Sequence, residues 1–167
     1  MAGEWGTVRM KISILAVGRL KSGAEQAQFN RYFDLFNASA RGLNMPPMTV
    51  IETGEGRSHS VAERKEAESA ELLKKLGPAR LIALDEEGKS LTSYEFTAML
   101  SRLRDEALDA AFAIGGPDGH GDTLKKAAHL QISLGRMTLP HGLVRIVLAE
   151  QLYRAMTIMQ GHPYHRA

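Results

Sequence analysis

Five short apolar runs, separated by segments with helical periodicity, constrain the fold of this chain more than any other feature. Each run is four to eight residues long and rich in aliphatic or β-branched side chains, as buried strands are; they span residues 11–18, 48–51, 80–85, 110–114 and 130–134. Because these runs are apolar on both faces, helices should cover both sides of the sheet that they form. The sequence therefore predicts an α/β fold with a mainly parallel sheet flanked by helices.

Helix signals fill the segments between these runs. Aromatic residues recur at helical spacing between Ala24 and Phe36, and Ser-x-x-Glu and Thr-x-x-Glu sequences predict capped helix starts at Ser60 and Thr92. The last helix ends before Gly161, a residue suited to a left-handed C-terminal cap. The predicted helices span about residues 24–36, 61–76, 93–108, 122–129 and 142–160.

Length and composition indicate one domain. The chain has 167 residues, of which 44% are hydrophobic, and shows no linker or internal repeat. We predict a single domain over residues 10–167, preceded by a frayed or disordered extension at residues 1–9. Cysteine is absent, which excludes disulfides and thiolate chemistry and fits a cytoplasmic protein. No apolar run approaches the roughly 18 residues that span a bilayer, so no membrane association is expected.

Charge is distributed unevenly along the chain. From Lys125 to Ala167 there are six Lys or Arg residues and one acid, whereas the preceding residues carry a small excess of acids. Four of the six histidines also lie in this C-terminal segment. A basic end on an acidic body suggests a polyanionic partner such as RNA, although a solvated basic surface is the simpler alternative.

Three of the predicted strands end in residues suited to binding. Leu84 precedes an acid at the end of the third strand, Gly115-Gly116 follows the fourth, and Leu134-Gly135 ends the fifth. The carboxyl ends of parallel strands meet at one edge of a sheet, so these positions can form one site. Neither GxGxxG nor a P-loop occurs, which gives no support to a dinucleotide or NTPase site. A tight turn without a ligand is the alternative for the glycine pair.

The C-terminal sequence His162-Pro163-Tyr164-His165-Arg166 concentrates imidazole, phenol and guanidinium groups. Such groups stack on bases and bind phosphate, which favours RNA contact over a frayed tail. Two histidines three residues apart have no third ligand at suitable spacing, so no metal site is predicted. No Ser-His-Asp or paired-carboxylate pattern supports hydrolysis.

Several blocks together resemble a known family. They are MKISILAVG from Met10, LDEEGK after the third strand, IGGPDG after the fourth, and LPHGLVRIVLAEQLYRA with HPYHR at the end. These are similar to the RlmH family of SPOUT-superfamily RNA methyltransferases, from Met10 to the C-terminus. Two departures are the N-terminal extension and His120, which stands where an apolar residue is expected.

The resemblance implies a homodimer whose C-terminal segment forms a trefoil knot. It also implies S-adenosyl-L-methionine as methyl donor, no metal, and methylation at N3 of a pseudouridine in 23S ribosomal RNA within the assembled ribosome. Methyl transfer from a sulfonium needs alignment rather than a protein nucleophile, which suits a chain without nucleophile or metal motifs.

The resemblance also implies roles for particular residues. The cofactor-binding residues would be Leu84, Gly115, Gly116, Leu134, Gly135, Arg136, Met137, Thr138 and Leu139. The catalytic, RNA-contacting residues would be Tyr164, His165 and Arg166, next to the partner subunit's cofactor. His165 would be the base that accepts the N3 proton, and Arg166 would supply a cationic field. Arg145, Glu150 and Arg154 would support the site from the last helix.

Two other functions remain open at this point. One is a catalytically silent ribosome-binding module with the same fold, which would have lost the glycines of the cofactor loops. Gly115, Gly116 and Gly135 are all present, which favours the enzyme. The other is a SPOUT methyltransferase acting on transfer RNA, which we expect to need an added RNA-binding domain.

Overall fold

The computed structural model describes residues 9–166 and contains one five-stranded sheet in which every paired strand is parallel. The strands are β1 (Ile12–Val17), β2 (Thr49–Thr53), β3 (Arg80–Ser90), β4 (Ala110–Ile114) and β5 (Leu130–Ser133). Their order in the sheet is β2-β1-β4-β3-β5. The predicted α/β fold is therefore confirmed. Residues 1–8, which make up nearly all of the predicted N-terminal extension, lie outside the described residues.

Five helices cover the sheet, and all five were predicted. They are α1 (Ala24–Arg41), α2 (Val61–Lys74), α3 (Ser93–Asp105), α4 (Asp122–Ala127) and α5 (His141–Gln160), followed by a short 3-10 helix at Pro163–His165. The capping box at Thr92 is complete, and Gly161 closes α5 in the left-handed conformation, as predicted. At α2 the box is half formed: Ser60 accepts from the Glu63 backbone, but the Glu63 carboxylate accepts from Ser58 instead.

The third strand continues beyond its predicted end at Asp85. Leu84 and Lys89 both pair with Ile132 of β5, so β3 resumes its pairing after an irregularity. The predicted end rested on loss of apolar character, but the extension runs along β5 with polar side chains that are mostly exposed. Gly88 permits this contact, since a Cβ there would come within 2.6 Å of the Ile132 backbone. The longer β3 forms one side of the region described below.

Alternate residues of β1 enter different cores. Ile12, Ile14 and Ala16 join the larger core, which includes buried residues of α1, α3 and α5. Leu15 and Val17 join a smaller core with Leu72 of α2 and Leu124 of α4. Burial on both faces explains why the strands read as continuous apolar runs. The trefoil knot stays a prediction, and no described helix has the length and apolarity to cross a membrane.

Candidate functional site

A cavity of about 450 Å³ lies at the carboxyl ends of β3 and β4, between the loops that follow β4 and β5 and the start of α5. It is the place where the sequence predicted that three strand ends would meet. Of the nine residues predicted to bind a cofactor, eight line this cavity: Leu84, Gly115, Gly116, Leu134, Gly135, Met137, Thr138 and Leu139. Arg136 lies in the same loop with an exposed side chain and is not among the lining residues.

Glycine is needed at two of these positions for different reasons. A Cβ at Gly115 would come within 2.9 Å of the Gly119 backbone, so the turn after β4 closes too tightly for any side chain. Gly135 has φ +143, in the region that other residues rarely adopt. The Ser133 side chain bridges the backbone of that residue, accepting from Gly135 N at 3.1 Å and donating to Gly135 O at 2.8 Å. Both loops therefore follow tight backbone paths where they line the cavity.

Helix α2 supports the glycine loop that follows β4. Arg64 Nε donates to Asp118 Oδ2 at 2.9 Å, Ser69 Oγ accepts from Gly121 N at 2.8 Å, and Thr123 Oγ1 donates to Glu66 at 2.6 Å. The Arg64 hydrogen bond lowers the pKa of Asp118. Sequence reasoning missed these supports, because a charged helix face gives no indication of which distant loop it contacts.

The β3 side of the cavity is acidic. Asp85, Glu86 and Glu87 all line it, and Asp85 forms an ion pair with Lys125 at 3.0 Å. Burial acts to raise the pKa of Asp85, but the Glu87 backbone N–H and Lys125 outweigh it and the pKa is lowered. Asp85 is thus ionised at neutral pH, with Lys125 offsetting its charge. Glu86 and Glu87 leave this wall with an excess of acids, which suits hydroxyl groups or cations.

His120 replaces the expected apolar residue without leaving a polar group unsatisfied. The side chain is buried, and Nε2 lies 3.1 Å from the Ala113 carbonyl oxygen. Burial lowers the pKa of His120, which favours the neutral imidazole with Nε2 donating to that carbonyl. The substitution therefore adds a hydrogen bond under the glycine loop.

Arg145 and His141 connect the cavity wall with the ends of β1 and β2. Arg145 is 1% exposed, and its guanidinium donates to Glu52 Oε2 at 2.5 Å, to the Gly18 carbonyl at 2.6 Å and to His141 Nε2 at 3.1 Å. His141 lines the cavity and is the first residue of α5. The resemblance implied that Arg145 supports the site, and the structure places its guanidinium behind His141 of the cavity wall. His141 itself was not predicted as a site residue.

The C-terminal tail folds back onto α5 through Tyr164. The Tyr164 hydroxyl donates to Glu150 Oε1 at 3.0 Å, the ring centroid lies 4.6 Å from that of Tyr153, and the Arg154 guanidinium lies 5.1 Å from the ring. Burial, followed by the Glu150 carboxylate, raises the pKa of Tyr164 above its usual range. Glu150 and Arg154 also pair with each other, so the tail contacts a half-buried network on α5.

Tyr164, His165 and Arg166 are not among the residues that line the cavity. Arg166 is exposed, and His165 is half-buried with an Nδ1 atom that has no hydrogen-bond partner within the described chain. The chain therefore holds two separate groups of predicted site residues, one at the cavity and one at the tail. Within residues 9–166 no three His, Asp or Glu side chains are grouped as metal ligands would be.

Comparison with known proteins gives a consistent family. A family model described as "Predicted SPOUT methyltransferase" matches residues 10–165. Ribosomal RNA large subunit methyltransferase H of Methylocella silvestris is 49% identical over 159 residues, which cover 94% of this chain and 99% of that protein. The protein of the same name from Mesorhizobium japonicum is 46% identical over 160 residues, which cover 95% of this chain and all of that one.

Among solved structures, the SpoU methyltransferase AviRb from Streptomyces viridochromogenes in complex with AdoMet aligns with a TM-score of 0.43 and 11% identity. The alignment covers 87% of this chain and 58% of that one. The family model and the full-length relatives confirm the resemblance found in the sequence, and this chain belongs to the SPOUT methyltransferase family, in the group of ribosomal RNA large subunit methyltransferase H.

Proposed function

We propose that this chain is an S-adenosylmethionine-dependent methyltransferase that modifies N3 of a pseudouridine in 23S ribosomal RNA, as a homodimer acting on the assembled ribosome in the cytoplasm. The observation that carries the proposal is the cavity, because eight residues implied by the family resemblance converge there from three separate loops and strand ends. The names of the full-length relatives support ribosomal RNA as the substrate. The basic C-terminal segment supports a polyanionic partner.

The cavity residues fit S-adenosylmethionine. Gly115 and Gly135 bring backbone without side chains to the cavity wall, which leaves room for a flat adenine next to the two loops. The ionised wall at Asp85 suits ribose hydroxyls and the positive charges of the cofactor. Nδ1 of His141 is buried and has no hydrogen-bond partner among residues 9–166, which leaves it able to bind a polar group of the cofactor. When bound, the cofactor supplies an electrophilic methyl group on a sulfonium.

The chain itself contributes alignment and control of one proton. The residues around Gly115 and Gly135 fix the position of the donor, and those of the tail orient the target base, which is proximity catalysis. N3 of a pseudouridine carries a weakly acidic imide proton that leaves as the N–C bond forms. We assign His165 as the residue that accepts this proton, and the exposed Arg166 guanidinium as the group that stabilises the negative charge on the imide.

The separation of tail and cavity favours a homodimeric site. Tyr164 anchors the tail on α5 of its own protomer, and the tail residues do not line the cavity of that protomer. A second subunit that places its tail over this cavity would bring His165 and Arg166 to the donor. The proposal therefore assigns each active site to residues of both subunits.

The test is transfer of labelled methyl from S-adenosylmethionine to ribosomes that lack the modification, compared with isolated ribosomal RNA and transfer RNA. We expect incorporation at one pseudouridine of the large-subunit RNA, on ribosomes only. Incorporation into transfer RNA would contradict the assigned substrate. A protein that binds no cofactor would contradict the enzymatic assignment and favour a silent ribosome-binding module.

A further inference from the structure

His141 faces two different environments through its two ring nitrogens. Nε2 lies on the Arg145 side, where it accepts from Arg145 Nε at 3.1 Å. A guanidinium N–H can only donate, so Nε2 carries no proton in this contact. Arg145 cannot easily turn away, because its other nitrogens are engaged by Glu52 and by the Gly18 carbonyl.

The imidazole is neutral in these surroundings. Burial, followed by the Arg145 charge, lowers the pKa of His141, and the Gly115 backbone and the carboxylates of Glu52 and Glu55 oppose this only in part. A neutral imidazole has one ring proton, and Nε2 is excluded as its position. The proton therefore lies on Nδ1, and Arg145 fixes this tautomer.

The Nδ1–H group has no acceptor. The atom is shielded from water and makes no hydrogen bond within the described chain. The Gly115 backbone lies close enough to affect the pKa of His141, but the geometry does not complete a hydrogen bond. Buried donors without a partner are rare in native proteins, and this one belongs to a residue of the cavity wall.

We propose that His141 is a cofactor-binding residue whose Nδ1–H donates to the carboxylate of the methionine part of S-adenosylmethionine. The inference rests on the proposed function. The carboxylate is the one anionic group of this cofactor, and the acidic wall formed by Asp85, Glu86 and Glu87 disfavours placing it on the β3 side. The carboxylates of Glu52 and Glu55 also lie near His141, but the Arg145 guanidinium pairs with Glu52 and offsets its charge there. Because Nδ1 is shielded in the free protein, the proposal requires the Gly115 peptide to move aside when the carboxylate binds, while Arg145 keeps the ring in place.

Lys65 is the competing donor for the same carboxylate. It lines the cavity from α2 and takes part in none of the ion pairs of the described residues. Its position near Asp118, whose pKa it helps to lower, already gives its charge a neighbour within the protein. His141 differs from Lys65 because its Nδ1–H donor has no acceptor among the described residues. We therefore assign the cofactor carboxylate to His141.

Two substitutions separate the donor role from a packing role. His141→Gln can keep an acceptor near the position of Nε2 for Arg145 but removes the donor at the δ position. His141→Asn keeps an N–H near Nδ1 but removes the acceptor for Arg145. His129→Asn, at an exposed histidine outside the cavity, is the matched control. Calorimetry measures the Kd of each protein for S-adenosylmethionine and for its decarboxylated analogue.

We expect His141→Gln to bind S-adenosylmethionine about tenfold or more weakly, as loss of a hydrogen bond to a charged group implies. The same variant should bind the decarboxylated analogue as wild type does, and His141→Asn should stay within about threefold of wild type for both. Equal losses for both ligands, an unchanged His141→Gln, or a carboxylate-dependent loss in Lys65→Met instead would overturn the assignment. Those results would leave the proposed function standing if wild type binds the cofactor, whereas a wild type that binds neither ligand would overturn both.

Nitrogen-15 NMR of the free protein tests the tautomer independently of ligand and activity. Two-bond correlations from the ring protons distinguish a protonated Nδ1 from a protonated Nε2. We expect the Nδ1–H form in wild type and its loss in Arg145→Met. A protonated Nε2 in folded wild-type protein would contradict the fixed tautomer and with it the donor.

Discussion

Tyr164 belongs to the predicted functional tail, but its side chain makes its contacts with helix α5 of the same chain. Its hydroxyl is committed to Glu150 and its ring packs on Tyr153. A side chain with these contacts is better suited to holding His165 and Arg166 in place than to contacting RNA directly. The residue is therefore a positioning residue in our account, although the sequence resemblance implied RNA contact.

Replacing Tyr164 by Phe tests this role. The change removes the hydrogen bond to Glu150 but keeps the aromatic packing, so the stability of the fold should fall by only about 1 kcal/mol. We expect methyl transfer to ribosomes to decrease several-fold while the Kd for S-adenosylmethionine stays unchanged. The control is Tyr94→Phe, because Tyr94 is 57% exposed on α3. Full activity of Tyr164→Phe beside an impaired Arg166→Ala would show that anchoring through Glu150 is dispensable.

At the level of residues, eight of the nine residues predicted to bind the cofactor line the cavity, but the sequence misses the groups that hold its loops in place. Leu84, Gly115 and the loop from Leu134 were recognisable because short motifs carry them. His141 and Asp118 belong to motifs too, but their roles depend on Arg145 and Arg64, which lie on other turns or other elements. A single sequence gives no signal for the pairing of Arg64 with Asp118, which are far apart in the chain. The i,i+4 spacing of His141 and Arg145 allows their contact but does not show that Arg145 also binds Glu52 and Gly18.

At the level of elements, α2 holds the cavity loop through the ion pair of Arg64 and Asp118 at 2.9 Å. Because Arg64 lowers the pKa of Asp118, this carboxylate contributes to stability above its ordinary pKa of 3.8 and loses that contribution as the pH falls through the lower folded-state value. Removing the arginine should therefore return the pKa of Asp118 toward its ordinary value.

Arg64→Met tests the coupling between helix and loop. Carbon-13 NMR of the Asp118 carboxyl should show the pKa rising, and the amides of Gly119 and Gly121 should exchange faster because the loop has lost a support. We also expect weaker binding of S-adenosylmethionine by several-fold. Lys74→Met, which breaks the exposed pair with Glu71 on the same helix, should change none of these properties. Unchanged loop exchange in Arg64→Met would refute the support role.

The elements themselves were predictable to different degrees. Strand β4 has the bounds that the sequence predicts, Ala110–Ile114, because the strand and the apolar run coincide. The polar part of β3 was not predictable, since its pairing with β5 depends on backbone contact at Gly88 and not on apolar side chains. Capping residues gave accurate starts for α2 and α3, because a cap is a local interaction.

At the level of the whole molecule, the sequence predicts the sheet. No sequence pattern predicts whether the chain passes through one of its own loops to form a knot. Strand and helix periodicity is satisfied equally by knotted and unknotted connections, and general rules of topology disfavour threading. The implied knot and homodimer therefore depend on family resemblance. The charge asymmetry is different: it concerns the whole surface, and it indicated a polyanionic partner without any motif.

Mixing two inactive variants tests whether an active site combines the cavity of one subunit with the tail of the other. Gly115→Val should close the cavity, because even a Cβ would lie 2.9 Å from the Gly119 backbone, and Arg166→Ala should disable the tail. We expect each homodimer to be inactive in methyl transfer. The Gly115→Val protein should lose cofactor binding, and the Arg166→Ala protein should retain it.

When the two variants exchange subunits in equal amounts, half of the dimers are expected to be mixed. In a shared site, the intact cavity of the Arg166→Ala subunit faces the intact tail of the Gly115→Val subunit, so each mixed dimer has one working site. Activity should then recover to roughly a quarter of that of wild type, as statistical assortment of a twofold-symmetric dimer requires. A site built within one subunit leaves no mixed dimer with an intact cavity and tail together. Absence of recovery, with subunit exchange verified by mass spectrometry, would therefore place the tail at its own cavity.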